Sequence, residues 1–322
     1  MILSASRRTD IPNYFSEWFF NRLEEGFVYV RNPMNVHQVS KIALSPEVID
    51  CIVFWTKNPE PMIGNLDRLK GIPCYFQFTL TGYGRDIEEN IPDKKEKIIP
   101  AFQKLSDTLG SHRVIWRYDP VFFNTEYTEK YHLKIFEQIA GSLKGYTKRC
   151  VISFVDFYEK NKRRLKSLHS CIPEKEALEE FAGRLAKIAH KNEMEIAACA
   201  ESMDLSKCGI ARSCCIDKEL IEEIIGCELH AEKDRNQRKE CGCIESVDIG
   251  CYNTCRNGCK YCYASYSVES VDRSCRNYHL DSPLLCSTLQ EGDKVTERKV
   301  KSQKEMQMRL KFSEELETNF PK

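Results

Sequence analysis

The chain has 322 residues, a mass of 37.4 kDa, and 48 Lys plus Arg balanced by 48 Asp plus Glu. Zero net charge excludes a global electrostatic pull toward nucleic acid or an anionic membrane, although a local basic groove is compatible with it. Surface scaling predicts a folded area of roughly 14,000 Å² against roughly 54,000 Å² unfolded, which suits one α/β barrel or two modest domains.

Residues 2–6, ILSAS, read as a short apolar strand ending in the polar knot Arg7-Arg8-Thr9-Asp10. A helical stretch follows over 14–24, and residues 27–30 and 39–44 read as the arms of a hairpin around Asn32-Pro33. The apolar run 51–55 is a strand stopped by Thr56-Lys57-Asn58-Pro59, and a short helix covers 62–69. The alternation then repeats: strand 75–81, helix 100–109, strand 113–118 stopped by Asp119-Pro120, helix 128–143, strand 149–154, helices 158–168 and 174–190, and strand 193–198. Near-continuous apolar strands separated by helices predict parallel βα units. Six such units favour a full or partial (β/α) barrel of the TIM type, with an open doubly wound sheet as the competing architecture. No GxGxxG or GxxxxGK[ST] is present, so dinucleotide and P-loop readings have no support.

In such barrels the chemistry gathers at the C-terminal strand ends. The polar groups expected there are Arg7, Arg8 and Asp10; Thr56, Lys57 and Asn58; Thr79 and Thr81; Arg117 and Asp119; Ser153 and Asp156; and Glu195, Cys199 and Glu201. Turn chemistry explains any one of them, but the set as a whole predicts a polar site.

Cysteine is the abnormal residue, with 17 copies. The opening MILSASRRTD is too short an apolar run for a secretion signal, and no apolar stretch is long enough to span a bilayer, so a cytoplasmic location is expected. Cys51, Cys74 and Cys150 read as small hydrophobes in strands. Thirteen cysteines crowd between Cys199 and Cys286, which predicts metal ligation rather than a disulfide scaffold. The sharpest signal is Cys255-Arg256-Asn257-Gly258-Cys259-Lys260-Tyr261-Cys262. Three soft thiolates and one open position suit an iron–sulfur cluster, whereas a closed structural zinc site wants four ligands. Gly258 permits a tight turn there.

This run resembles the cluster loop of radical S-adenosylmethionine (SAM) enzymes, CxxxCx-aromatic-C, on Cys255, Cys259, Tyr261 and Cys262. The resemblance implies a [4Fe–4S] cluster on the three cysteines and SAM bound to the open iron. It further implies SAM cleavage to a 5′-deoxyadenosyl radical and a reductant such as flavodoxin or ferredoxin. In that superfamily the loop follows the first strand. Here residues 244–250 are the candidate strand before the loop, and 261–268 the start of the helix after it. The expectation is therefore a circularly permuted barrel, with strand 244–249 beside strand 2–6 or 51–55. The Gly-Gly-Glu-like strand end that contacts SAM in the superfamily is not found. Ser6, Arg7 and Asp10 stand in its place, Arg7 or Arg8 suits the SAM carboxylate as a bidentate donor, and Lys57 and Tyr261 complete the expected cofactor contacts. Over residues 1–268 the chain also resembles an uncharacterised prokaryotic family through SASRRTDIP, VFWTKNP, QFTLTGYG, VIWRYDP, ISFVDFY and the run KDRNQRKECGC through CKYCYA. The barrel half has a distant likeness to spore photoproduct lyase.

Cys199, Cys215, Cys241 and Cys243 form a candidate second metal site, for an auxiliary iron–sulfur cluster or zinc, with unligated cysteines as the alternative. The basic connector 233–239 reads either as a solvated loop or as a cap over the pocket. The expected organisation is a barrel core over 1–198, a cysteine-rich connector over 199–243, the permuted strand, loop and helix over 244–282, and a charged segment over 283–322, in which 301–317 reads as a surface helix or a loose tail. The leading expectation is a radical SAM enzyme that abstracts hydrogen from a small molecule or peptide, with no membrane partner. Three alternatives stand beside it. One is a zinc-stabilised nucleic-acid-binding protein, another a divalent-metal barrel hydrolase on Asp119, Asp156, Glu195 and Glu201, and the third an iron–sulfur electron-transfer protein.

Overall fold

A computed structural model describes residues 1–156, 159–171 and 173–305. In chain order the elements open with β1 (Ile2–Ala5), α1 (Ile11–Tyr14) and α2 (Ser16–Glu25). The predicted hairpin follows as β2 (Phe27–Asn32) and β3 (Asn35–Ala43), antiparallel, with Val28 opposite Ile42. Next come β4 (Cys51–Thr56), α3 (Glu60–Ile63), β5 (Cys74–Thr79), α4 (Ile99–Leu109), β6 (Val114–Val121), α5 (Glu129–Leu143) and β7 (Arg149–Phe154). The chain continues through α6 (Glu159–Ser167), α7 (Lys175–Lys191), β8 (Glu195–Cys199), β9 (Ala211–Ser213), α8 (Lys218–Ile225), β10 (Val247–Asp248), α9 (Val268–Cys275) and β11 (Lys294–Glu297).

Eight of these strands form one parallel sheet in the order β10-β1-β4-β5-β6-β7-β8-β9. From β1 onward the spatial order follows the chain without reversal, so every crossover runs the same way. Right-handed crossovers then carry the intervening helices to one face. Strand alternation divides the apolar residues accordingly. Leu3, Ile52, Phe54, Phe76, Trp116 and Ile152 pack with α2, α4, α5 and α7 in the main core. Ile2, Val53, Tyr75, Ile115 and Val151 point the other way and pack against Ile216, Leu220, Ile221, Cys241 and Cys243. The segment around α8 therefore covers the second face of the sheet. In hydrogen bonding the sheet is open, with β10 and β9 as its edges.

Strand β10 lies parallel to β1, with Leu3 opposite Val247 and Ser4 opposite Asp248. The strand expected over 244–249 is thus only Val247–Asp248, and of the two places expected for it, beside strand 2–6 or beside strand 51–55, it takes the first.

Four local expectations need correction. Strand β6 does not stop before Asp119-Pro120 but runs to Val121, with a register shift between Tyr118 and Val121. Residues 261–267 are loop, and the helix after it starts only at Val268, where the Ser267 side chain accepts from Ser270 N and caps it. Residues 283–305 are docked rather than loose. Leu284, Leu285 and Cys286 are buried, and β11 pairs parallel with β3 to complete a second sheet, β11-β3-β2. Within the expected 301–317 helix, residues 301–305 are non-helical, tied down by Met1 N to Lys301 O (2.7 Å) and Gln303 N to Asp50 Oδ2 (2.8 Å). The rest of that segment, and Tyr158 at the expected start of α6, lie outside the described residues.

Cys51, Cys74 and Cys150 sit buried in β4, β5 and β7 as expected, and burial pushes the Cys74 thiol up to about 12. No helix among the described residues is long and apolar enough to cross a membrane.

Candidate functional site

The turn after β10 is held against the end of β1. The Asp248 carboxylate accepts from Ser4 Oγ (2.9 Å), Ser6 Oγ (2.6 Å), Arg7 N (3.0 Å) and Gly250 N (2.9 Å). A Cβ on Gly250 would stand 2.0 Å from Ser6 Oγ, so only glycine admits this approach. The Ser6 hydroxyl also accepts from Arg8 N at 2.9 Å. Ser6 is thereby engaged in joining the two strand ends.

Asp10 fastens the cysteine loop to the sheet. Its buried carboxylate accepts from Thr56 Oγ1 (2.7 Å), Lys57 N (2.9 Å), Asn257 Nδ2 (3.0 Å) and Asn13 N (3.1 Å). Asn257 lies between Cys255 and Cys259, and its Oδ1 accepts from Tyr14 Oη at 2.9 Å. Burial raises the Asp10 pKa against the pull of these four hydrogen bonds. An Asp10→Ala chain leaves four donors without their acceptor. Since a buried unsatisfied group costs ~1–3 kcal/mol, we expect a loss of at least about 3 kcal/mol. The check is a lower urea midpoint at an unchanged m-value.

Glu88 is a hub that the sequence did not single out. Its buried carboxylate accepts from Lys57 Nζ (2.8 Å) and Thr81 Oγ1 (3.0 Å), and also from Lys94 Nζ and the Tyr261 hydroxyl. Burial alone would raise its pKa, but the two ammonium groups outweigh burial and bring it down to about 2. The backbone joins as well: Lys260 N donates to Ile87 O (2.9 Å) and Asn90 N to Asn257 O (3.2 Å). Gly258 has φ 69°, and a Cβ there would meet Glu89 Cβ at 3.0 Å. The tight turn expected at Gly258 is thus present, and it lets the loop seat against residues 88–90. Lys57 and Tyr261, both expected as cofactor contacts, lie against each other, the ammonium 5.5 Å from the ring centre, with Glu88 bridging them.

Cys255, Cys259 and Cys262 all face a cavity of about 1050 Å³. Burial raises the Cys255 thiol and pushes Cys259 up to about 12. A metal centre would have to displace those protons. Helix α6 supports the far side of the loop, with Asn161 Nδ2 donating to Tyr261 O (3.0 Å) and Arg164 Nη2 to Cys262 O.

The same cavity gathers strand ends across the sheet. Arg7, Arg8 and Asp10 follow β1, Thr56 and Lys57 close β4, Thr79 ends β5, Arg117 and Asp119 come from β6, Ser153 and Asp156 from β7, and Cys199 from β8. Asn58, Thr81, Glu195 and Glu201, expected with them, do not line it. Glu195 opens β8 rather than ending it, so it lies at the opposite edge of the sheet, 3.5 Å from Arg149. The four-carboxylate set of the hydrolase alternative is therefore not brought together. Glu201 accepts from Phe154 N (2.7 Å), and burial lifts its pKa to about 7. The 233–239 connector contributes Asp234, Asn236, Gln237 and Arg238 to the cavity wall, with Arg238 Nη1 2.6 Å from Asp156 Oδ2.

Arg7 lies with its guanidinium 5.2 Å from the Trp55 ring centre, and its buried Nη2 has no hydrogen-bond partner among the described residues. Arg8 sits 5.2 Å from the Tyr252 ring centre and donates weakly to Gly250 O at 3.4 Å. Cys199, Cys215, Cys241 and Cys243 also line the cavity. Among the described residues, no group of three or more His, Cys, Asp or Glu side chains is arranged to hold a metal ion as it stands.

The family model described as a domain of unknown function, DUF1848, matches residues 2–264, from β1 through the last cysteine of the loop. The chain belongs to the DUF1848 family. The match spans β1, β10 and the cysteine loop. No curated protein and no solved structure matches the chain.

Proposed function

We propose that this DUF1848 protein is a radical SAM enzyme built on a circularly permuted, partial (β/α) barrel. The observation that carries this reading is that Cys255, Cys259 and Cys262 open together onto the strand-end cavity, directly after a strand that lies parallel to β1. The donor set fits an iron–sulfur cluster. Three soft thiolates suit iron–sulfur chemistry, and each would take a different iron, so no common ligation point is needed. When bound, the cluster supplies the electron for reductive cleavage of SAM.

The chain's own residues do the rest. Asp10 and Glu88 fix the loop against the ends of β4 and β5, which positions the three sulfurs. The unpartnered Nη2 of Arg7 is a buried donor available to an anionic group such as the SAM carboxylate. The cavity of about 1050 Å³ is large enough for SAM together with a small molecule or a peptide side chain. The connector at its rim is held to Asp156 through Arg238 and contributes Asp234, Asn236, Gln237 and Arg238 to the wall.

The deciding experiment is electron paramagnetic resonance on anaerobically reconstituted, reduced protein with and without SAM. We expect a reduced [4Fe–4S] signal that changes on SAM addition. A cluster signal indifferent to SAM would favour electron transfer. Retention of zinc in place of iron would favour a binding role.

A further inference from the structure

Four thiols outside the 255–262 loop line the same cavity, and they come from three separate segments. Cys199 ends β8, Cys215 precedes α8, and Cys241 and Cys243 form the pair before β10. The Sγ atoms of Cys199 and Cys215 are 3.3 Å apart, and Cys243 lies against both Cys215 and Cys241. The segment carrying Cys215 is anchored both to β5 and to the Cys243 thiol. Cys215 O accepts from Tyr75 Oη (2.6 Å) and Gln77 Nε2 (2.9 Å), while Ile216 N donates to Cys243 Sγ at 3.3 Å.

Two guanidinium groups face this row of sulfur. Arg117 Nη1 donates to Cys215 Sγ at 3.1 Å, and the Arg7 charge stands toward Cys215 and Cys243. Donors to sulfur and compensating positive charge are what a buried, anionic thiolate-ligated centre requires. A single tetrahedral ion needs four sulfurs converging at about 2.3 Å from one point. Here the thiols touch in succession, 199 to 215 to 243 to 241, and no three of them are placed to hold one ion. A cluster spreads its ligands, one thiolate to each iron, and the cavity beside the row gives it room. Seating it requires the Cys199–Cys215 pair to turn apart about the Cα–Cβ bonds.

We infer that Cys199, Cys215, Cys241 and Cys243 bind a second [4Fe–4S] cluster, fully ligated by protein, on the same cavity as the 255–262 loop. This inference rests on the four thiols and their arginine partners, and does not depend on the reading of that loop as a SAM site.

The test is an iron and sulfide count on the full-length chain, reconstituted anaerobically. The Cys255→Ala/Cys259→Ala/Cys262→Ala chain is expected to keep about four irons and four sulfides, and adding Cys241→Ala and Cys243→Ala to bring both to zero. The inference is overturned if the triple variant holds no iron, if it holds one zinc ion, or if its peptide mass shows a Cys199–Cys215 disulfide in place of metal. Should the triple variant fold poorly, Cys241→Ala/Cys243→Ala in the otherwise wild-type chain decides: a loss of about four irons and four sulfides relative to wild type supports the second cluster, and unchanged iron overturns it.

Discussion

Replacing Cys259 by Ala is expected to abolish SAM cleavage while leaving the chain folded. Cys259 opens onto the strand-end cavity and would carry one iron of the proposed cluster. With that ligand gone, two thiolates remain on the loop, and iron should fall by about four per chain, one cluster's worth. The structural cost is small by comparison, since a buried Cys→Ala change removes one sulfur atom and costs about 1 kcal/mol. Cys150→Ala supplies the matched control. Cys150 is equally buried, in β7, but lies away from the cavity lining, so its replacement should lower the melting temperature by a similar amount with iron content and SAM cleavage unchanged. SAM turnover that survives in the Cys259→Ala chain would sink the assignment of the loop.

Glu88→Gln is expected to have the largest effect on stability. The substitution keeps the shape of the side chain but leaves the ammonium groups of Lys57 and Lys94 facing a neutral amide. Removing one partner of a buried ion pair costs about 3–5 kcal/mol. The pH dependence gives an independent measure. Glu88 is held at about 2 against an ordinary value of 4.5. A carboxylate lowered in this way stabilises the fold fully above about pH 4.5, and that contribution is lost as the pH falls from there toward 2. The drop corresponds to roughly 3 kcal/mol, in line with the mutational figure. Chemical denaturation at pH 7 and at pH 3 should therefore show a wild-type chain that weakens on acidification and a Glu88→Gln chain that is weak at both. A variant as stable as the wild type at pH 7 would show that the buried cluster is not electrostatically maintained.

The sequence made much of the frame legible. The strand over 51–55 announces itself because it is apolar on both faces, and those over 75–81 and 149–154 because one face is apolar throughout; the sheet is covered on one side by helices and on the other by the segment around α8. The cysteine loop is legible because its ligands are neighbours in the chain. Strand β9 was missed because three residues, two of them exposed, carry no periodicity. Strand β11 was missed because Lys294–Glu297 is exposed throughout and charged at both ends, so its pairing with β3 leaves no apolar signature.

Glu88 shows most clearly where sequence reasoning runs out. It sits between β5 and α4 in a stretch of mixed charge, RDIEENIPDKKEK, which reads as a solvated loop. Nothing local distinguishes it from Glu89, which is exposed. Its partner Tyr261 is 173 residues away, and Asn257 is 247 residues from Asp10.

Local chemistry alone therefore determined the alternating strands and helices, the polar character of the strand ends, and the presence of a thiol loop suited to iron and sulfur. Spacing and periodicity record those properties directly in consecutive residues. The tertiary structure alone decided which strand ends share a cavity, that β10 pairs with β1 rather than with β4, that Asp10 and Glu88 fasten the loop, and that four cysteines from three segments touch in succession beside two arginines. These are pairings between residues far apart in the chain. Their energy comes from burial and charge compensation that exist only once the sheet has assembled.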